Sequence, residues 1–138
     1  VFEDHVIVCG YGTVGQKVID VLYEHGIRFV VIEIDPKKVE HLRDLGYSVI
    51  EGDATYPKTL KAAGIDNAKA IAVVIDDDAK NLFTVLAAHD INKRLFIAAR
   101  ANDEFVREKL IEAGADYIVM PQRTASKEIL NELLKIKT

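Results

Sequence analysis

A glycine triplet is the first place where residue type and spacing point to chemistry. Gly10-Tyr11-Gly12-Thr13-Val14-Gly15 follows the β-branched run His5 to Cys9 and leads into a stretch with helical periodicity. That strand–turn–helix context is what gives G-x-G-x-x-G its meaning as a phosphate-binding loop. Gly10 permits a tight turn, Gly12 lets backbone N–H groups approach a pyrophosphate at the helix N-terminus, and Gly15 lets helix and strand pack closely. Tyr11, Thr13 and Val14 complete the loop. Glu33 ends the next β-branched run, 18 residues after Gly15, where a carboxylate can accept hydrogen bonds from ribose hydroxyls and repels a 2′-phosphate, so NADP is disfavoured. Asp35 competes for that role, but Pro36 follows it and it reads better as a helix cap.

Further acids and one base lie at the ends of later strand-like runs. Asp53, in Gly52-Asp53-Ala54-Thr55, can accept from an adenine amino group while Ala54 is small enough for the base to lie flat against the backbone; alternatively Asp53 or Thr55 caps the helix beginning near Tyr56-Pro57. Asp76-Asp77-Asp78 invites a metal reading, yet consecutive residues seldom converge on one ion, and a solvated cap is favoured. Arg100 faces the same edge and can pair with a phosphate or with one of those aspartates. His5, His25, His41 and His89 form no constellation and read as surface or snorkelling positions. The lone Cys9 reads as a small buried hydrophobe. No catalytic residue and no metal site is assigned.

Positioning these groups requires an alternation of strands and helices, and the chain supplies it. Strands are expected at 5–9, 28–33, 47–51, 70–75, 95–99 and 117–120, most of them apolar on both faces, as when helices cover both sides of a parallel sheet. Helical stretches lie between, with stops at Gly26, Gly46, Gly64 and Gly114. The expected fold is α/β, a Rossmann-like doubly wound six-stranded parallel sheet with helices on both faces, plus a C-terminal crossover helix. Residues 1–122 form the nucleotide-binding lobe and 123–138 the C-terminal helix, which docks between subunits. Residues 81–88 are apolar nearly all round, so a second protein surface is expected behind them. In the last helix, read over 125–136, Ile129, Leu130, Leu133, Leu134 and Ile136 make one stripe.

The chain has 138 residues, 49% apolar and 29% charged, enough for one core without disulfide or metal staples. One cysteine excludes a disulfide framework and fits a reducing compartment. The net charge of -4, with no run of Lys or Arg longer than two, argues against nucleic acid as a partner. The longest apolar run, Ala70 to Ile75, is far below the roughly 18 residues a membrane span needs. Starting at Val1 rather than Met, the sequence is expected to be a piece of something longer.

Taken together, Val6 to Gly15, Glu51-Gly52-Asp53-Ala54-Thr55, Asp76-Asp77-Asp78-x-x-Asn81 and Gly114 to Pro121 resemble the RCK domain, also called TrkA-N or KTN, of prokaryotic potassium channels and Trk/Ktr potassium-uptake systems. The resemblance implies the N-terminal lobe of a cytoplasmic regulatory domain, held at the inner face of the cell membrane through an attached or associated pore. It implies that Gly10, Gly12 and Gly15 form the phosphate loop, Glu33 the ribose acid, Asp53-Ala54 the adenine contact, and Arg100 a basic position near the phosphates. The implied effector is NAD or NADH, with ADP, AMP or ATP as further candidates; Thr13 stands where some ATP-responsive members carry arginine. Implied partners are a second copy, through helix 82–88 and the C-terminal helix, a larger ring, and a potassium channel pore or transporter membrane subunit.

Two enzyme readings compete with a sensor that controls potassium channel gating or uptake. An NAD-dependent dehydrogenase needs a substrate domain for which no residues remain, or Tyr-x-x-x-Lys in a one-domain version, which no tyrosine here provides. An S-adenosylmethionine-dependent enzyme shares the glycine loop and acid, but usually exceeds this length and ends in an antiparallel strand.

Overall fold

The computed structural model describes residues 2–136. Six strands, β1 (Val6–Cys9), β2 (Phe29–Glu33), β3 (Val49–Glu51), β4 (Ala70–Val73), β5 (Phe96–Arg100) and β6 (Tyr117–Val119), alternate with α1 (Thr13–Glu24), α2 (Pro36–Asp44), α3 (Pro57–Ala62), α4 (Asp78–Ile91), α5 (Glu104–Ala113) and α6 (Pro121–Leu133). All pairings are parallel, in the order β3-β2-β1-β4-β5-β6. The order reverses between β1 and β4, which is where open α/β sheets leave a crevice at the carboxyl ends of their strands. This is the expected Rossmann-like fold.

Successive strand side chains point to opposite faces, and the core divides accordingly. Ile7, Cys9, Val30, Ile32, Ile71, Val73 and Ile97 pack with Leu60 of α3, Val85 and Ala88 of α4 and Leu110 of α5. Val8, Val31 and Val74 pack on the other face with Ile19 of α1 and Leu42 of α2. Helices therefore cover both faces, and continuous apolar strands rather than alternating ones are the result. No helix among the described residues is long and apolar enough to cross a membrane.

Two local expectations need correction. His5 is buried at 2% exposure, not at the surface. Its Nε2 lies 2.7 Å from the Ala63 carbonyl oxygen and its ring rests against Phe2, because the turn after α3 folds over the start of β1. The last helix begins at Pro121 rather than Ala125 and ends at Leu133 rather than Ile136. Proline at the first helical position needs no N–H partner, so Pro121 to Thr124 add a turn that Arg123 ties to Glu104 of α5. The helix thus starts just before the boundary expected at 122/123; residues 137 and 138 lie outside the described residues. No side chain of α6 is buried.

Asn81 fixes α4 to the sheet. Fully buried, it accepts from the Ile75 N–H at 3.0 Å and donates through Nδ2 to the carbonyls of Ile75 (2.7 Å) and Arg100 (3.1 Å). One amide side chain thereby satisfies backbone groups of Ile75, just past the end of β4, and of Arg100, the last residue of β5. Replacing Asn81 by Ala should lower unfolding free energy by about 2–4 kcal/mol, because three buried backbone contacts lose their partner. Urea denaturation measures this, and a loss under about 1 kcal/mol would contradict the role.

Candidate functional site

The glycine loop is shaped by backbone demands at two of its three glycines. Gly10 leaves β1 with φ +101°, a conformation that L side chains rarely adopt. A Cβ on Gly15 would collide with the Gly10 carbonyl oxygen, so α1 approaches β1 only because that atom is missing. Gly12 differs. A Cβ there would meet nothing within 4 Å, and the residue stands at the N-cap of α1 with no side-chain cap. Its surroundings remain open above a helix N-terminus, where unpaired amides favour an anion. Tyr11 and Val14 pack their side chains on the core beneath α1 and α2, so they contribute backbone alone, while Thr13 is exposed.

Glu33 ties this loop to the end of β2. Its carboxylate is only 7% exposed. Oε1 accepts from the Tyr11 N–H at 2.8 Å, and Oε2 accepts from the N–H groups of Ile34 and Asp35, both at 2.9 Å. Three charge-assisted hydrogen bonds compensate its burial. A carboxylate offers about four acceptor sites, so about one is left unused. Asp35 does cap α2, accepting from the Lys37 N–H at 3.0 Å.

A crevice opens over the carboxyl ends of β1 to β4. Gly10, Ile32 and Glu33 line it, together with Ile34, Gly52, Asp53, Ala54, Ile75 and Lys80. The structure therefore brings together Gly10, Glu33, Asp53 and Ala54, with Tyr11 to Gly15 continuing from Gly10. Asp53 caps no helix: Tyr56 occupies the N-cap of α3 without a side-chain bond. Instead Asp53 Oδ1 accepts from the N–H and the hydroxyl of its neighbour Thr55, at 2.9 and 2.7 Å. Those hydrogen bonds, helped by the Lys80 charge and opposed by partial burial, hold its carboxyl below the usual range.

Arg100 is not among the crevice residues. Its side chain, 12% exposed, lies beyond β4, with Nη2 3.2 Å from Asp76 Oδ1 and 3.4 Å from Asn102 Oδ1. Of the two partners open to it in the sequence, an aspartate holds it here. Its Nε is buried without a partner among the described residues. The three adjacent aspartates separate in function: Asp76 pairs with Arg100, Asp77 caps α4 through the Lys80 N–H at 3.0 Å, and Asp78 accepts from the Asn102 N–H at 3.1 Å. Burial pushes the Asp78 carboxyl up, against the pull of that hydrogen bond. No group of three metal-ligating side chains occurs among the described residues. Cys9 is buried in the core, which pushes its thiol up, away from reactivity.

Sequence reasoning missed Ile34, Ile75 and Lys80 as crevice residues. They lie one (Ile34), two (Ile75) and seven (Lys80) positions past a strand end; the carboxyl-edge rule points to that zone, and Lys80, already in the first turn of α4, carries no signal of its own.

Comparison with known proteins gives this geometry relatives. The sequence model of the TrkA-N domain matches residues 6–121. Potassium channel protein 1 of Methanocaldococcus jannaschii is 38% identical over 129 residues, covering 92% of this chain and 39% of that protein. The crystal structure of the TrkA-N domain of the inner membrane protein ybaL from Escherichia coli aligns with a TM-score of 0.92 at 28% identity, covering 96% of this chain and 98% of that one. The Kef CTD of Shewanella denitrificans in its AMP-bound form aligns with a TM-score of 0.82 at 26% identity, covering 96% and 82%. The chain spans well under half the length of the first curated relatives it matches.

Glu33 serves the loop before it serves any ligand. Glu33→Gln keeps one acceptor oxygen but sets an NH₂ donor against at least one of the three N–H groups, and should destabilise the ligand-free protein by about 1–3 kcal/mol in urea melts. Unchanged stability would show that the loop does not depend on the carboxylate.

Proposed function

This chain belongs to the TrkA-N domain family, and we propose that it is a ligand-sensing regulatory lobe. It binds an adenine nucleotide or dinucleotide and controls a potassium channel or potassium transporter. The observation that carries this reading is the single crevice that gathers Gly10 of the glycine loop, the ribose acid Glu33 and the Asp53-Ala54 pair. Phosphates would lie on the unpaired amides at the start of α1, from the open Gly12 onward, a sugar hydroxyl against Glu33, and the base over Ala54 with its amino group toward Asp53. AMP bound to the Kef CTD supports an adenine nucleotide. NAD or NADH is our first choice, since the glycine triplet and the ribose acid are the features of dinucleotide sites; ADP, AMP and ATP are the others. Arg100 would reach a phosphate only by leaving Asp76.

The lobe acts by binding rather than catalysis, with a second copy as its immediate partner. α4 exposes Phe83 (57%) and Leu86 (46%), α6 exposes Ile129, Leu130 and Leu133, and the residues just after it expose Leu134 and Ile136. Apolar faces of this kind mark contact surfaces. Pairing through α4 and α6, extended to a ring beneath a pore at the inner face of the membrane, would turn a change in the crevice into strain on a gate. A ligand moves such an equilibrium only by its difference in affinity for the two states. Going from 1:99 to 99:1 takes about 5.5 kcal/mol, which several subunits would share.

Calorimetry with NAD, NADH, ADP, AMP, ATP and S-adenosylmethionine tests the reading. We expect saturable binding of at least one adenine nucleotide or dinucleotide; binding of S-adenosylmethionine alone would instead identify a fragment of an enzyme. Gly12→Val should keep the native thermal midpoint and lose nucleotide binding at least tenfold, because its side chain fills only the space above the helix. Equal affinity in that variant would move the site elsewhere.

A further inference from the structure

Lys80 is the one cation lining a crevice that also holds the carboxylates of Glu33 and Asp53. It is half-buried, and no carboxylate lies within 4 Å of its ammonium among the described residues. Its place is fixed from both sides: its own N–H is held by Asp77, and the next residue is Asn81 with three bonds to the sheet. A half-buried lysine that forgoes an ion pair leaves its three donors for something else.

Facing it across the crevice, Asp53 is half engaged. Oδ1 is taken by Thr55, while Oδ2 has no hydrogen-bond partner among the described residues. The Lys80 charge is felt at this carboxylate, which it helps keep ionised. Ile34 and Ile75 supply apolar walls to the same cavity, and the small Ala54 lies beside Asp53. The cavity thus offers apolar sides and, at one end, an acceptor and a cationic donor together.

Resting on the nucleotide reading above, we propose that Lys80 reads the base: its Nζ donates to a ring nitrogen of adenine next to the amino group that donates to Asp53 Oδ2. The adenine edge carries that pairing, an exocyclic N–H₂ donor flanked by ring-nitrogen acceptors. A 6-oxo purine places a carbonyl oxygen against the Asp53 carboxylate and, where adenine offers N1 as an acceptor, an N–H against the Lys80 ammonium, and is rejected. Sites that pair buried polar groups discriminate against ligands that leave them unmatched. Lys80 is therefore a determinant of base specificity, separate from the phosphate-binding amides.

The test is an NMR titration of the ¹⁵N-labelled chain with AMP, IMP and adenosine, for wild type, Lys80→Met and Lys80→Gln. Wild type should prefer AMP over IMP at least tenfold. Lys80→Met should keep its native spectrum while weakening AMP and adenosine alike by about five- to tenfold; Lys80→Gln, which keeps an N–H donor, should recover part of that loss. Weaker AMP with unchanged adenosine would assign Lys80 to the phosphate and overturn the proposal, as would unchanged affinity for both or equal binding of AMP and IMP. If wild type binds none of these and no NAD, the nucleotide reading itself falls, a result distinct from a failure at Lys80 alone.

Discussion

The arrangement depends on one buried carboxylate holding three backbone amides. Glu33 joins the loop after β1, through Tyr11, to the turn after β2, through Ile34 and Asp35. An acid at 7% exposure is tolerated only because those N–H groups replace its water. The same bonds set the height of the loop over the sheet. The glycines follow from that placement: Gly10 must turn with positive φ, and Gly15 must yield its side chain so that α1 can start where the loop delivers it. A residue expected from the sequence to contact a ligand is thus first a strut, with only its remaining acceptor capacity open to anything else.

On the far side of the crevice the polar residues at the start of α4 do comparable structural service. Asp77 caps the helix, Asn81 joins it to β4 and β5, Asp76 restrains Arg100, and Asp78 holds the next loop. The helix so anchored carries Lys80 toward the crevice and, three residues on, Phe83 toward solvent. In the sensing lobe proposed above, this one rigid element would touch both the crevice and the exposed apolar face.

Fold and loop were legible because both rest on local rules. Continuous β-branched runs separated by glycine-ended helices specify a parallel sheet covered on both faces, and the strand–glycine–helix order specifies the loop. Asp35 and Pro36 marked the start of α2 for the same reason. What escaped was set by contacts distant in sequence. His5 is buried by a turn 58 residues away, Arg100 is claimed by Asp76, and Lys80 enters the crevice because Asn81 orients its helix against two strands. α6 starts before the expected Ala125 because Pro121, directly after the strand expected at 117–120, opens the helix at a position where a proline needs no N–H partner.

The pre-set Glu33 has a kinetic side. Because the loop amides are already aligned before any ligand arrives, little of the encounter is spent on rearranging the backbone. For the nucleotide proposed above, association would then be set by orientation and diffusion, and differences among competing nucleotides would appear as differences in residence time.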